Sequence, residues 1–378
     1  MSNIEYGDVK LNFRFRTFQE GDEKGIIKTY MAAFCKSRIC EPMTPEFWNW
    51  KYGPIRPYYD PEGYQVCEYK KKIVGTIQCT LRTMKFNGVQ YKVAGIDDVS
   101  TCPILEKRGI AGQLMRNAIS FMEKREVDLS VLTADPKGHA QRLYERLGYT
   151  EKTYISFGAK LISVWGTIKN FTILTPLAIP MRLYGTFKAE KAMLKYKGDA
   201  KIRILGKNQE DFRQKLNKNY HTFYSFDDYS PDYWKWYHIN RPQSHRSIVV
   251  AAKEDGIIKA GGVITKSYLL VVNTKKFNPV FVLTEFFVEK DFRKKGLGSY
   301  LLNQLERIAR KEGVGIIITL FHGRNMKFRK FLKKMGYLTM DKSVMQMIKP
   351  ISERAKALFK RNKGKKFVWK VPFEQLGY

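Results

Sequence analysis

In Phe286-Phe287-Val288-Glu289-Lys290-Asp291-Phe292-Arg293-Lys294-Lys295-Gly296-Leu297-Gly298-Ser299-Tyr300-Leu301-Leu302, an apolar run gives way to a basic glycine loop. Beyond the loop, Leu301, Leu302, Leu305 and Ile308 recur at helical spacing, with Gln304, Arg307 and Arg310 between them. The pattern predicts strand, loop and amphipathic helix in succession. A helix opening on glycines presents unpaired N–H groups and the positive end of its dipole, which together attract an anion such as pyrophosphate. Gly296 and Gly298 carry no side chain to obstruct such a ligand.

The same layout occurs earlier, at Thr101-Cys102-Pro103-Ile104-Leu105-Glu106-Lys107-Arg108-Gly109-Ile110-Ala111-Gly112-Gln113-Leu114. Neither loop ends in the Gly-Lys-Ser/Thr of a P-loop, and neither has the spacing of a dinucleotide fingerprint. A second pair of matching segments surrounds the loops. Ser230-Pro231-Asp232-Tyr233-Trp234-Lys235-Trp236 restates Thr44-Pro45-Glu46-Phe47-Trp48-Asn49-Trp50. Trp48 and Trp234, Gly109 and Gly296, and Gly148 and Gly336 lie 186, 187 and 188 residues apart. Landmarks held in this register over such a distance identify an internal duplication.

The 378 residues suffice for two domains with their own cores, and 44% hydrophobic content is globular. Five cysteines (Cys35, Cys40, Cys67, Cys79, Cys102) form no CxxC pair, which speaks against zinc or a disulfide framework and for a reducing, cytoplasmic location. The five histidines show no metal-ligand spacing, so no metal is expected. A polar, acidic N-terminus and the lack of any run of about eighteen apolar residues predict neither a signal peptide nor a transmembrane segment. Lys and Arg number 68 against 36 Asp and Glu, a net charge of +32 that attracts polyanions. Coenzyme A, nucleic acid and an anionic surface all satisfy it, as does a merely solvated basic exterior.

Along the chain, strands are expected at Asn12–Phe18, Tyr64–Tyr69, Ile73–Leu81, Val93–Thr101 and Leu129–Thr133, with an Asn87-Gly88 turn. Helices are expected at Glu20–Phe34, from Pro45 behind a Thr44 cap, after Gly109, and at Ala140–Leu147. The boundaries are an N-terminal domain over 1–165, a linker with a helix over 166–200, a second domain over 201–350 and a basic tail over 351–378. The linker reads as a helix packed on both halves, although Lys188, Lys191, Lys195 and Lys197 would also suit a membrane surface. In the tail, Trp369 and Phe373 predict docking of the very end.

The spacing Arg293-x-x-Gly296-x-Gly298, its earlier copy and the order of elements around both resemble tandem GNAT N-acetyltransferases. The resemblance covers nearly the whole chain. It implies an α/β fold of two tandem domains, each a central mixed β-sheet flanked by helices. It implies acetyl-CoA as cosubstrate, with the pyrophosphate on the loop amides and the pantetheine between two splayed strands. It also implies direct attack of a primary amine on the thioester, with a tyrosine as general acid to the departing sulfur.

Carried over position by position, the cofactor residues are Thr101, Lys107, Arg108, Gly109, Ile110, Ala111 and Gly112 in the first copy. In the second they are Val288, Arg293, Lys294, Lys295, Gly296, Leu297, Gly298 and Asn325. Tyr144 stands at the acid position of the first copy, where the second has Leu332. Glu106 departs from the family's preference in the first loop. Asp98 and its counterpart Glu285 are the candidate bases, and an ordinary ion-pair role fits them equally. Tyr144 places catalysis in the first copy. Two other readings accompany this one: a polyanion-binding protein (RNA or membrane) with degenerate domains, and an aminoacyl-tRNA-dependent transferase similar to the Fem-type enzymes.

Overall fold

A computed structural model describes residues 2–4, 11–35, 42–136, 138–171, 174–227, 229–271 and 276–365. Trp369 and Phe373 lie outside the described residues. The first copy comprises β1 (Ser2–Ile4), β2 (Leu11–Thr17), α1 (Glu23–Phe34), α2 (Pro45–Tyr52), β3 (Tyr64–Tyr69), β4 (Lys72–Phe86) and β5 (Val89–Thr101). It continues with α3 (Ile110–Lys124), β6 (Leu129–Ala134), α4 (Ala140–Arg146) and β7 (Glu151–Leu161). The linker holds α5 (Val164–Asn170) and α6 (Thr175–Met193). The second copy runs β8 (Lys201–Ile204), α7 (Glu210–Tyr220), β9 (Ser225–Asp227), α8 (Pro231–Trp234), β10 (Ser247–Glu254), β11 (Ile257–Val271) and β12 (Lys276–Val288). It ends with α9 (Leu297–Lys311), β13 (Ile316–His322), α10 (Met326–Lys334), β14 (Leu338–Pro350) and α11 (Glu353–Arg361).

Local chemistry sets these boundaries as expected. The Thr44 and Ser230 hydroxyls accept from the amides three residues on, at 3.1 and 3.2 Å, with Pro45 and Pro231 at the first helical position. Asn87 and Gly88 both take positive φ, the condition for a tight two-residue hairpin turn. The two repeats of the paired-tryptophan helix are not identical, because the second widens into a looser turn over Lys235–Ile239.

The expected pair of separate sheets is replaced by one. Among the described residues, fourteen strands form a continuous sheet in the order β1-β2-β3-β4-β5-β6-β14-β7-β13-β12-β11-β10-β8, with β9 on β4. The halves exchange their last strands: β14 pairs with β6 of the first copy, and β7 pairs with β13 of the second. β7 and β14 also pair with each other, so a division at residue 165 separates partners.

A second junction joins the copies through the tryptophan helices. Trp50 and Trp236 stack with centroids 5.1 Å apart and planes 14° from parallel. Each indole N–H donates to the other residue's carbonyl, at 3.0 and 2.8 Å. The Arg56 guanidinium lies over Trp236 and that of Arg241 over Trp50, at 4.6 and 4.4 Å. One buried cluster here contains Phe47, Trp48 and Tyr64 of the first copy with Phe212, Trp234 and Val249 of the second. The start of the expected tail is the docked helix α11: Ser352 and Arg354 both bond Asp128, and Asn362 donates to Tyr224. Cys35 is disulfide-bonded, so the cysteines are not all free thiols.

Candidate active site

Among the described residues each copy contains one parallel strand pair, and in each the partners separate. β5 follows β6 only from Val93↔Leu129 to Ile96↔Leu132, and β12 follows β13 only from Phe281↔Ile317 to Leu283↔Thr319. Beyond these points the strands diverge into a wedge. On its outer side, each diverging strand has a bulge at the parting point, after Asp97 and at Thr284. The bulges let β5 and β12 turn away without losing their antiparallel partners.

The loop at the mouth of each wedge has the same backbone. Lys107 and Gly109 in one copy and Lys294 and Gly296 in the other take left-handed φ, and each glycine caps the following helix. Four N–H groups thus emerge at the head of α3 and of α9 with no intrahelical acceptor. Gly112, in the first turn of α3, has room around it: an added Cβ would touch only Arg116 and Leu143, at 3.6 and 3.7 Å.

From here the copies part. In the second, the wedge is filled: Phe286 stacks on Phe331 at 5.5 Å, and Phe328 contacts Phe286, Phe321 and Phe331. The corresponding residues of the first copy are Val99, Ala134, Ala140 and Leu143, with Ala140 exposed. The second loop is also covered. The end of the linker lies on it so closely that a Cβ at Gly296 would come within 2.6 Å of the Tyr196 nitrogen, and Tyr196 stacks on Tyr300 at 4.9 Å. Gly109 of the first loop is exposed.

The remaining expected site residues fall as follows. Thr101, Lys107, Arg108, Gly109, Ile110, Ala111 and Gly112 are brought together from the end of β5 to the start of α3. Val288, Arg293, Lys294, Lys295, Gly296, Leu297 and Gly298 are likewise adjacent, but Arg293 is engaged by the Val288 carbonyl and Asn219, at 2.8 and 3.1 Å. Asn325 caps α10, accepting from the Phe328 amide at 3.1 Å. Tyr144 on α4 is buried beside Tyr149, and burial pushes its phenol up to about 12. Its hydroxyl has no hydrogen-bond partner among the described residues. Leu332, its counterpart, is fully buried in the core under α9.

The candidate bases differ too. Asp98 takes φ 49° beside the bulge, accepts from the Tyr52 hydroxyl at 2.5 Å and lies 3.6 Å from the Lys51 ammonium. Both partners belong to α2. Its neighbour Asp97 accepts from Thr80 at 3.1 Å. Glu285 is fully buried, with one oxygen taken by Tyr220 and the other by Tyr229 at 2.6 Å. Tyr52 and Lys51 were not anticipated from the sequence; their only signal was their position at the end of the paired-tryptophan helix. Beyond that helix, Arg56, Asp232, Lys235, Trp236 and Asn240 help line a cavity of about 430 Å³, and Arg56 reaches back to the Lys51 carbonyl at 3.1 Å.

Residues 14–151 match the family described as an acetyltransferase (GNAT) domain, and residues 210–337 match the acetyltransferase (GNAT) family. The chain is a tandem GNAT protein. It is 32% identical over 106 residues to an uncharacterized N-acetyltransferase of Methanocaldococcus jannaschii, and the match covers 27% of the chain and 46% of that relative. Among solved structures it resembles Saccharomyces cerevisiae N-myristoyltransferase with bound myristoyl-CoA: TM-score 0.63, 14% identity, 90% of this chain and 79% of the other. It also resembles a GCN5-related N-acetyltransferase from Anabaena variabilis: TM-score 0.58, 11% identity, 89% and 72% covered. At these identities the likeness shows the fold alone. Among the described residues no helix is long and apolar enough to cross a membrane.

Proposed function

We propose that this GNAT protein is an acyl-CoA-dependent N-acyltransferase that works through its first half, moving acetyl from acetyl-CoA to a primary amine. The observation that carries the assignment is the contrast between the wedges: four phenylalanines pack together in the second, where the first has the smaller Val99, Ala134, Ala140 and Leu143. The exposed Gly109 loop and the covered Gly296 loop point the same way. The second-copy residues are therefore not carried forward as a cofactor site; that half gives its strand β14 and its tryptophan helix to the first.

In this reading the amides of Gly109–Gly112 hold the pyrophosphate, and Lys107 and Arg108 add charge. The pantetheine lies between β5 and β6. The acceptor nitrogen attacks the thioester carbonyl carbon, forming C–N; collapse of the tetrahedral species breaks C–S and releases the thiolate. Asp98, anchored by Tyr52 and Lys51, takes the proton of the incoming amine. A phenol at about 12 is a poor full proton donor to a thiolate of pKa roughly 8.5, since the transfer is uphill by about 5 kcal/mol. Tyr144 thus donates a hydrogen bond to the sulfur as charge builds there.

The test is calorimetric titration with acetyl-CoA, followed by thiol release with a panel of small and peptide amines and with acyl-CoA thioesters of increasing length. Saturable binding and amine-dependent thiol release fastest with acetyl-CoA are expected. Absence of CoA binding refutes the transferase reading, and preference for long acyl chains refutes the acetyl assignment.

A further inference from the structure

Helix α6 is built inside out. Among the described residues, its fully buried ones are all small, Ala178, Gly185, Ala189 and Ala192, with Met181 and Arg182 half-buried beside them. Gly185 packs so tightly on Gly336 that a Cβ on the latter would come within 2.7 Å of the Gly185 Cα. The face it turns away carries the large apolar side chains. Leu177, Leu183, Tyr184, Phe187 and Leu194 are exposed, Phe187 by 64% and Leu194 by 78%, and Trp165 on α5 by 82%. Their spacing of three, four and seven residues keeps them on one side of the helix. A connector that merely packs on two cores would have the reverse arrangement, with its large side chains inward.

Cations border this face. Over residues 164–200, Lys169, Lys188, Lys191, Lys195 and Lys197 stand against only Glu190 and Asp199, while Arg182 is half-buried toward Glu306 and Arg310. The Lys188 ammonium lies 5.5 Å from the Tyr184 ring, so aromatic and cationic groups share the rim. With Pro180 inside it, and charges along its length, α6 is not a spanning helix. A second copy is a poor occupant, because each chain carries +32.

We infer that the α5–α6 face docks on an anionic lipid bilayer. Phe187, Leu183 and Leu194 enter the boundary between headgroups and acyl chains, Trp165 and Tyr184 sit at headgroup level, and the lysines meet the lipid phosphates. The inference is independent of the transferase reading, since the face lies on the linker rather than in the first wedge.

The experiment is cosedimentation of the full chain with vesicles of phosphatidylcholine containing about 30% phosphatidylglycerol, and with phosphatidylcholine alone, at about 0.1 M salt. Wild type is expected to sediment with the anionic vesicles and not the neutral ones, with a blue shift of emission that Trp165→Phe removes. Leu183→Ser and Phe187→Ser should each lower the partition coefficient about tenfold. These side chains are exposed, so the unfolding temperature should not change; Trp165→Ser on α5 serves as an independent variant. No sedimentation of wild type with anionic vesicles overturns the inference. So does binding that Leu183→Ser and Phe187→Ser leave untouched, which would place the contact elsewhere on the basic surface. A concentration-dependent dimer abolished by the same substitutions, without vesicle binding, overturns it in favour of a second copy.

Discussion

A carboxylate placed in the first turn of α3 separates electrostatic blockade of the first wedge from loss of the fold. Gly112→Glu puts it there with little disturbance, because Gly112 is helical and an added Cβ meets nothing closer than 3.6 Å. The substitution itself removes a helical glycine, which favours folding by about 0.5–1 kcal/mol, and an acid in a helix's first turn is favourable in its own right. Toward a pyrophosphate on the Gly109–Gly112 amides the same charge is repulsive. At about 5 Å and an effective dielectric constant near 20, one phosphate charge and one carboxylate repel by about 3 kcal/mol. That corresponds to affinity lowered by somewhat more than a hundredfold. The companion variant Lys294→Glu/Lys295→Glu reverses two exposed charges on the second loop and should leave binding unchanged. Titration calorimetry with acetyl-CoA reads the affinity, and thermal unfolding without ligand confirms that Gly112→Glu is at least as stable as wild type. Wild-type affinity in Gly112→Glu, or loss of binding in the Lys294/Lys295 variant, would refute the assignment of the cofactor to the first half.

Tyr144→Phe should lower kcat about tenfold with KM for acetyl-CoA unchanged, since only a hydrogen bond to the leaving sulfur is lost; complete inactivation in steady-state assays would make it an obligatory acid. His322 is buried against Thr153, and burial followed by the charge of Arg324 pushes it down to about 4. The unfolded chain therefore binds a proton that the folded chain refuses between about pH 6.5 and 4. Stability should fall with pH across that window by up to about 3 kcal/mol, and His322→Asn should flatten this part of a urea-unfolding pH series. Trp236→Ala removes the stacking partner of Trp50, one of the reciprocal hydrogen bonds and the platform under Arg56; a loss of about 3–5 kcal/mol is expected in urea unfolding, and under 1 kcal/mol would show that the junction is not stabilising.

The duplication and both glycine loops were legible because each is local: glycines where the backbone needs positive φ, prolines behind capping hydroxyls, helical spacing after each loop. Strand alternation, by contrast, states which face a side chain occupies and not which strand lies beside it. Nothing in Glu151–Leu161 distinguishes pairing with β13 from pairing with β6, so one shared sheet was read as two. Phe286, Phe321, Phe328 and Phe331 stand on strands and a helix where core residues are ordinary, and only alignment of the copies with Val99, Ala134, Ala140 and Leu143 makes them conspicuous. The cover on the second loop depends on Tyr196 lying 100 residues before Gly296, a contact that no local pattern encodes. Asp98 stands out as a candidate in the sequence, whereas Lys51 and Tyr52, which hold it, lie at the end of a helix where no motif marks them.

The exchanged strands bear on how this protein is made. β6 has its second neighbour in β14, more than 200 residues further along the chain, and β7 leaves the first half to join strands not yet synthesised when it emerges. The two ends of the sheet have early partners, but its centre must wait for Leu338–Pro350 to leave the ribosome. Until then the edges of β6 and β7 offer unpaired backbone to any neighbouring nascent chain. A ribosome stalled just short of Leu338 would hold a chain with both glycine loops complete and its middle unclosed. Completion of the fold, and of the wedge it supports, therefore belongs to the last part of translation rather than to the first copy's own synthesis.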